Sequence, residues 1–290
     1  TEVTLDAITR LINVGITVND GASLSLPDLT QYSPTESNRY LYVAGTGVFD
    51  APQLSNIDNL QVQVYNGAHL ALPLVTSYTW NLVASPYIFN VNGEGSSLDM
   101  SALRTINLNT SSSYTIRVYA QSGGAIDLSG LETVNATNGE YFTVFSDATS
   151  SIDFSSLTTI GSLGHAIFDL RGGEFSFLAM QTFNNTTMTL RTGVSVLLPV
   201  STSFTNSAIT LNGGSLTANN LTSFDGTTLT LSDNASISLD SLTELTNMYV
   251  SVNEGTSVTL DAISTILNVG ITVSNGGNLS LPNLTKYNPV

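Results

Sequence analysis

The sequence predicts an all-β chain wound as a parallel β-solenoid, one continuous domain over residues 1–290 built from roughly a dozen coils of about 21 residues. Three observations carry this expectation. A short motif recurs about every 21 residues, as in Leu24-Ser25-Leu26-Pro27-Asp28-Leu29-Thr30 and Leu279-Ser280-Leu281-Pro282-Asn283-Leu284-Thr285. Apolar residues alternate with polar ones over three-residue stretches, the period of a half-buried strand. Gly and Asn punctuate these stretches, supplying the positive φ that sharp corners need.

The second apolar residue of each Leu-x-Leu unit anchors a coil. It falls at Leu5, Leu26, Ala51, Leu72, Met100, Leu128, Phe154, Phe177, Leu198, Ala218, Leu239, Leu260 and Leu281. Coils lengthen between about residues 72 and 177, where the steps stretch to roughly 23–28 residues. A second strand follows some ten residues after each anchor, as in Ile16-Thr17-Val18, Val62-Gln63-Val64, Ile209-Thr210-Leu211 and Ile271-Thr272-Val273. Its flanking apolar residues should point inward and the central one outward. Between the two strands lies another inward pair, such as Leu29/Tyr32, Leu103/Ile106, Leu131/Val134, Leu157/Ile160, Leu221/Phe224 and Leu242/Leu245. The run is too short for a helix, so a bent strand or turn is expected there. Corners follow at Asp20-Gly21, Asn66-Gly67, Gly213-Gly214, Asp233-Asn234 and Asn275-Gly276. A single coil cannot bury its own inner face, but stacking on like neighbours can, with strands about 4.8 Å apart and right-handed winding expected.

A longer period lies above the short one. Val3-Thr4-Leu5-Asp6-Ala7-Ile8 returns as Val258-Thr259-Leu260-Asp261-Ala262-Ile263, and Asn13-Val14-Gly15-Ile16-Thr17-Val18 as Asn268-Val269-Gly270-Ile271-Thr272-Val273, about 255 residues downstream. Residues 256–290 therefore begin a second copy, which suggests a segment of a tandem array.

Composition narrows the function. With 41% hydrophobic and 10% charged residues the chain can bury a core and is unlike a disordered segment. Net charge is −15 with only 7 Lys plus Arg, which disfavours nucleic acid and anionic polysaccharide as partners. There is no cysteine, hence no disulfide and no thiolate metal site. No apolar run reaches the ~18 residues of a membrane span, so membrane insertion is not expected. The opening Thr1-Glu2-Val3 has neither a basic nor an apolar block, so a leader is expected to be absent or removed. A Cys-free, acidic chain rich in Ser, Thr, Asn and Gly suits an exported surface protein. Asn109 and Asn283 lie in Asn-x-Ser/Thr sequons, which matter only in a eukaryotic secretory host.

The stretch Leu221-Thr222-Ser223-Phe224 with Leu229-Thr230-Leu231-Ser232-Asp233-Asn234 is similar to a leucine-rich repeat, and more so to the receptor L-domain type of β-helix. Leucine-rich repeats keep a buried Asn after Leu-x-Leu, whereas here that position varies among Gly21, Gly67, Gly214, Asn234 and Gly276. The chain more broadly resembles right-handed parallel β-helix repeats of bacterial surface proteins, and its long period looks like a segment of a large adhesin. That resemblance of pattern implies an extracellular, cell-surface location and transfers no catalytic residue.

Three constellations could carry chemistry. Asp99, Asp127 and Asp153 fall at the outward position of successive Leu-x-Leu strands. Carboxylates stacked near 5 Å repel by roughly 3 kcal/mol at an effective dielectric of about 20. They read as a Ca²⁺ site, as the carboxylate cluster of a β-helical glycoside hydrolase, or as a solvated row that splays apart. The longer coils place insertions at residues 78–87, 107–114 and 135–141, at the same point of adjacent coils. Tyr78, Trp80, Tyr87, Tyr114 and Tyr141 there could stack on sugar rings, or fold back over the apolar underside of their own loops. Third comes a hydroxyl ladder, Thr17, Thr189, Thr210, Thr230, Ser251 and Thr272. It resembles an ice-binding array, but Arg191, Asn212 and Ser232 beside it break the paired Thr-x-Thr rows such arrays use. His69 and His165 lack a metal-ligand spacing, and Arg104, Arg117 and Arg171 are too scattered for a lyase cleft.

The expectation is a non-enzymatic structural or adhesive segment of an extracellular protein, with neutral glycans or other surface molecules as partners and end-to-end self-association through open terminal coils. No cofactor is expected, Ca²⁺ being the one ion the acidic row could take. The alternative is a polysaccharide-active β-helix enzyme using the aspartate cluster.

Overall fold

A computed structural model describes residues 1–161 and 164–288. The fold is a parallel β-solenoid, in two compact units: Thr1–Ser155 with Gly161–Gly164, and Ser156–Ile160 with His165–Val290. Both follow one plan, and most coils carry three strands where the sequence pattern predicts two; in Glu244–Val252 and Thr265–Val273 the middle and long segments run on as one strand. The Leu-x-Leu strand comes first, a middle strand next, and a long strand last.

In the first unit the Leu-x-Leu strands include Ser23–Ser25, Val48–Asp50, His69–Ala71, Ser97–Asp99, Ala125–Asp127 and Ser151–Asp153. Each anchor amide bonds to the next coil, as Leu72 N–H does to the Asp99 carbonyl at 3.0 Å and Leu128 N–H to that of Asp153 at 3.1 Å. The chain then turns back on itself. Leu103 N–H donates to the Met100 carbonyl at 2.9 Å, and Leu131 N–H to that of Leu128 at 2.9 Å. That i→i+3 bond is a β-turn, which explains the spacing of three between successive inward leucines. The middle strands Ser77–Trp80, Thr105–Leu108 and Thr133–Ala136 follow, in parallel register. The inward pair in the sequence is thus one turn residue plus one strand residue.

The long strands of this unit are Ile16–Val18, Tyr40–Ala44, Gln61–Tyr65, Tyr87–Asn92, Thr115–Gln121 and Tyr141–Ser146. Val62, Val64, Ile88, Val91, Ile116, Val118, Phe142 and Val144 point inward and are buried. Each such side chain withdrawn from water stabilises the fold by about 1.5–3 kcal/mol.

The second unit repeats the plan with a different filling. Its long strands are His165–Leu170, Thr186–Arg191, Ala208–Asn212, Thr228–Ser232, Glu244–Val252 and Thr265–Val273. Middle strands Thr182–Asn184, Ser203–Thr205 and Ser223–Asp225 set Phe183, Phe204 and Phe224 in one register and inside the coil.

Corners obey the sequence. Asn66, Gly67, Gly213, Asp233, Asn234, Asn275 and Gly276 all have positive φ. A second left-handed residue marks the passage from middle to long segment in the short coils, at Asn13, Asn185, Asn206, Gly226, Asn247 and Asn268, the last two within continuous strands. The Asn side chains there form a partial ladder, with Asn268 Nδ2 donating to Asn247 Oδ1 at 2.8 Å and Asn247 Nδ2 to Asp225 Oδ1 at 3.0 Å. Gly124 is required for another reason: a Cβ there would sit 2.6 Å from the Val91 carbonyl oxygen.

The anchors Leu26, Leu72, Leu128, Leu198 and Leu239 are buried, as expected, while Leu281 is half-buried, Ala51 is half-buried and Leu5 is exposed. Leu5 and Leu281 lie on the terminal coils, where a neighbour covers one side only. Among the described residues no helix is long and apolar enough to cross a membrane.

Candidate binding surface

The three aspartates stand in register on neighbouring Leu-x-Leu strands, Asp99 beside Asp127 and Asp127 beside Asp153. Each carboxylate is used locally. The Oδ1 of Asp99 accepts Ser101 N–H at 2.9 Å, that of Asp127 accepts Ser129 N–H at 2.9 Å, and that of Asp153 accepts Ser155 N–H at 2.8 Å. These are Asx turns that start the β-turn after the strand, a sufficient reason for Asp-x-Ser to recur there. The Ca²⁺ reading is corrected on geometry: a row along a sheet does not converge on a point. Among the described residues no group of three or more Asp, Glu or His is placed to hold a metal ion. Asn keeps the accepting oxygen and removes the like charges. The triple variant Asp99→Asn, Asp127→Asn, Asp153→Asn is therefore expected to hold or slightly raise the urea midpoint, whereas Asp127→Ala lowers stability by about 1 kcal/mol through its lost turn bond. A large loss in the triple variant would show that the charge itself matters.

The insertions do fall together. They occupy the corner between middle and long strands, and Asn109 N–H bonds to the Trp80 carbonyl at 2.8 Å while Thr137 N–H bonds to that of Leu108 at 3.2 Å. Their aromatic residues are not arranged as expected. Tyr78 and Trp80 belong to the middle strand and are fully buried, the phenol donating to the Leu60 carbonyl at 3.1 Å and the indole N–H to that of Leu82 at 2.9 Å. The ligand-stacking role assigned to them is corrected: neither ring offers a face. Register explains it, since Trp80, Leu108 and Ala136 form one inward row in which a large ring fills the space left by smaller neighbours. Burial also pushes the Tyr78 hydroxyl well above its ordinary proton affinity, with Asp58 adding to the effect. Tyr114 is half-buried, and Tyr87 and Tyr141 are exposed at the starts of long strands.

One carboxylate ties the insertions together, and no motif or spacing marks it in the sequence. Glu140 is completely buried. Its Oε1 accepts Thr110 N–H at 2.7 Å and the Thr110 hydroxyl at 3.0 Å, and its Oε2 accepts the amides of Thr137 at 3.1 Å and Asn138 at 2.9 Å. Burial by itself would raise its pKa; the backbone N–H bonds of Asn138, Glu140 and Thr110 outweigh that and hold it below the ordinary range.

The outer face of the long strands carries a second set of aromatic residues, mostly half-buried. In the first unit one lateral row reads Thr17, Tyr42, Gln63, Asn90, Tyr119 and Phe145, each in register with the next. Tyr65, Asn92 and Gln121 form the row beside it. Tyr42 stacks on Tyr65 with centroids 5.2 Å apart, and Asn90 Nδ2 donates to the Tyr65 hydroxyl at 2.6 Å. Tyr119 meets Tyr87 edge-on at 4.9 Å and Phe145 at 5.1 Å. The Arg117 guanidinium lies 5.2 Å above the Tyr87 ring and donates to the Ser85 carbonyl at 2.8 Å. A shallow groove at one end is lined by Thr17, Asn19, Tyr40, Tyr42 and Gln63. Alternation alone identified these positions as outward; their aromatic and amide content was the available signal.

In the second unit the equivalent row is the hydroxyl ladder Thr189, Thr210, Thr230, Ser251 and Thr272. It runs single file, flanked by Arg191, Asn212 and Ser232, so it does not form the paired array of an ice-binding face. The histidines are occupied by hydroxyls, His69 by Ser97 at 2.7 Å and His165 by Thr187 at 2.6 Å. Comparison with protein-family models, curated proteins and solved structures finds no match for this chain.

Proposed function

We propose that this solenoid is a structural and adhesive segment of an extracellular tandem-repeat protein, in which coils of successive copies stack on one another. The observation that supports it is an internal comparison between two similar sequences, residues 1–35 and 256–290. Val3 and Leu5 are 42% and 45% exposed, and Val14 is 40% exposed. Their counterparts Val258, Leu260 and Val269 are 4%, 4% and 2% exposed, because the coil carrying Leu239, Leu245 and Val250 covers them. The opposite end behaves the same way. Val273 and Tyr287 are 47% and 57% exposed, while their counterparts Val18 and Tyr32 are 3% and 0% exposed beneath the following coil. The same residues therefore make a core whenever the neighbouring coil is supplied. Copying such a unit multiplies length and weak contacts together, which serves a stalk or adhesin through multivalency.

The test extends the array. Val290 corresponds to Thr35 in the long period, so residues 36–60 are appended after Val290 in frame. Amide protons of residues 271–288 are expected to exchange at least about tenfold more slowly in the extended chain, matching a gain of 1.4 kcal/mol in local stability. Unchanged exchange there would overturn the stacking of copies.

A further inference from the structure

We propose that the outer face of the long strands in the first unit binds an uncharged polysaccharide, laid across the strands over Tyr42, Gln63, Asn90 and Tyr119. The proposal rests on the adhesive half of the function above and supplies its ligand. It moves the sugar-binding surface from the insertions, whose Tyr78 and Trp80 are buried, to the sheet beside them.

The argument begins with an internal control. Both units use the same strand position, outward and in register. In the second unit that position is Asp169 on the first long strand and Thr or Ser on each one after it, as suits a plain stable strand. Thr is favoured there because a β-branched residue suits the pleated surface. The first unit instead places Gln63 and Asn90 between Tyr42 and Tyr119, with Tyr65, Asn92 and Gln121 alongside. Asn is depleted in strands, so the fold does not account for this choice. Aromatic pairing within the row would stabilise the sheet by itself, yet it would not call for amides between the rings.

Rings and amides together match one ligand chemistry. A sugar ring presents C–H groups on its face and hydroxyls around its edge. Aromatic faces pack against the former, and amides donate to and accept from the latter. Tyr42 and Tyr119 are three strands apart, about 14 Å, so both can contact one short oligosaccharide stretch. Asn90 is held in place by the Tyr65 hydroxyl, which limits the side-chain entropy lost on binding. Tyr65 stays a neutral hydroxyl, because burial raises its pKa and the Tyr42 and Tyr87 phenols add to this. Neither row contains an Asp, Glu, Lys, Arg or His side chain. The nearby Arg117 is directed to the Tyr87 ring and the Ser85 carbonyl, and the chain as a whole carries −15. An anionic polymer would be repelled; a neutral one is not.

The experiment is affinity electrophoresis of the intact chain in native gels cast with hydroxyethyl cellulose, xyloglucan, galactomannan or dextran, and with alginate as the anionic comparison. Retardation is expected in at least one neutral polymer and not in alginate. Tyr42→Ala and Gln63→Ala should each weaken it, the tyrosine change by about tenfold. Thr210→Ala and Thr230→Ala in the second unit should leave it unchanged. Far-UV circular dichroism and Trp80 fluorescence show that each variant is folded, and the Gln63 variant removes no packed ring. Migration unaffected by all four neutral polymers, retardation only in alginate, or equal retardation of wild type, Tyr42→Ala and Gln63→Ala would each overturn the proposal. The stacking of copies is read separately by hydrogen exchange, so failure here leaves that reading standing.

Discussion

Replacing Glu140 by Ala is expected to destabilise the first unit by about 3 kcal/mol, because it leaves buried donors without an acceptor. Thr110, Thr137 and Asn138 direct backbone N–H groups at this carboxylate from two different insertions, and water does not reach it. Glu140→Gln should also lose stability, since one amide NH₂ must then face N–H groups. The carboxylate also makes stability depend on pH, in a defined direction. Its folded pKa lies below the ordinary value of 4.5, so its stabilising contribution is complete above about pH 4.5 and is lost as pH falls through the folded value. Asp147 acts in the same sense: burial opposes ionisation, but the Ser122 amide, the Ser150 hydroxyl and Thr149 lower its pKa overall. Urea midpoints measured at pH 7 and pH 3 should therefore differ less for Glu140→Gln than for the wild type. Trp80 fluorescence is a suitable probe, since the insertion bonded to Glu140 also bonds to the Trp80 carbonyl. An acid dependence identical in both proteins would refute this role.

Phe204→Ala should be at least as costly, about 3–5 kcal/mol by the usual penalty for emptying a buried aromatic site. Phe204 is fully buried in the second unit. Its ring stacks on Phe183 at 4.5 Å with planes 4° apart and lies 5.5 Å from Phe224. Each such pair adds about 0.5–1.5 kcal/mol beyond the area it buries. Coils contact only their neighbours, so the gap interrupts the stack locally and the transition should broaden as well as shift. Phe204→Leu, which refills most of the volume, should lose less than half as much. A loss below about 1 kcal/mol in Phe204→Ala, followed by circular dichroism in urea, would mean that the coil collapses around the gap.

Legibility differed sharply between scaffold and surface. Leu72, Leu128 and Leu198 could be placed inside from spacing alone, because a period of two fixes which face a side chain takes. The middle strand was legible only as a bent strand or turn, because its sequence, as in Thr105-Ile106-Asn107-Leu108, begins directly after a turn whose leucine mimics a helical spacing of three. Trp80 was misplaced for a related reason. It lies next to an insertion in sequence, but strand register with Leu108 turns it inward. The aspartate row was visible, yet its purpose was not, because an Asx turn is a hydrogen bond between Asp127 and the backbone two residues on.

By itself the sequence determined the parallel coil, its period, the inner face, the left-handed corners and the internal duplication, since each follows from local periodicity or backbone preference. The tertiary structure alone decided which residues from different coils meet. Glu140 and Thr110 lie 30 residues apart, and Tyr65 and Asn90 25 apart. Coil lengths in the first unit vary, so no constant offset links such partners. Only the registered stacking of strands converts outward positions into a surface and a lone buried carboxylate into a clamp.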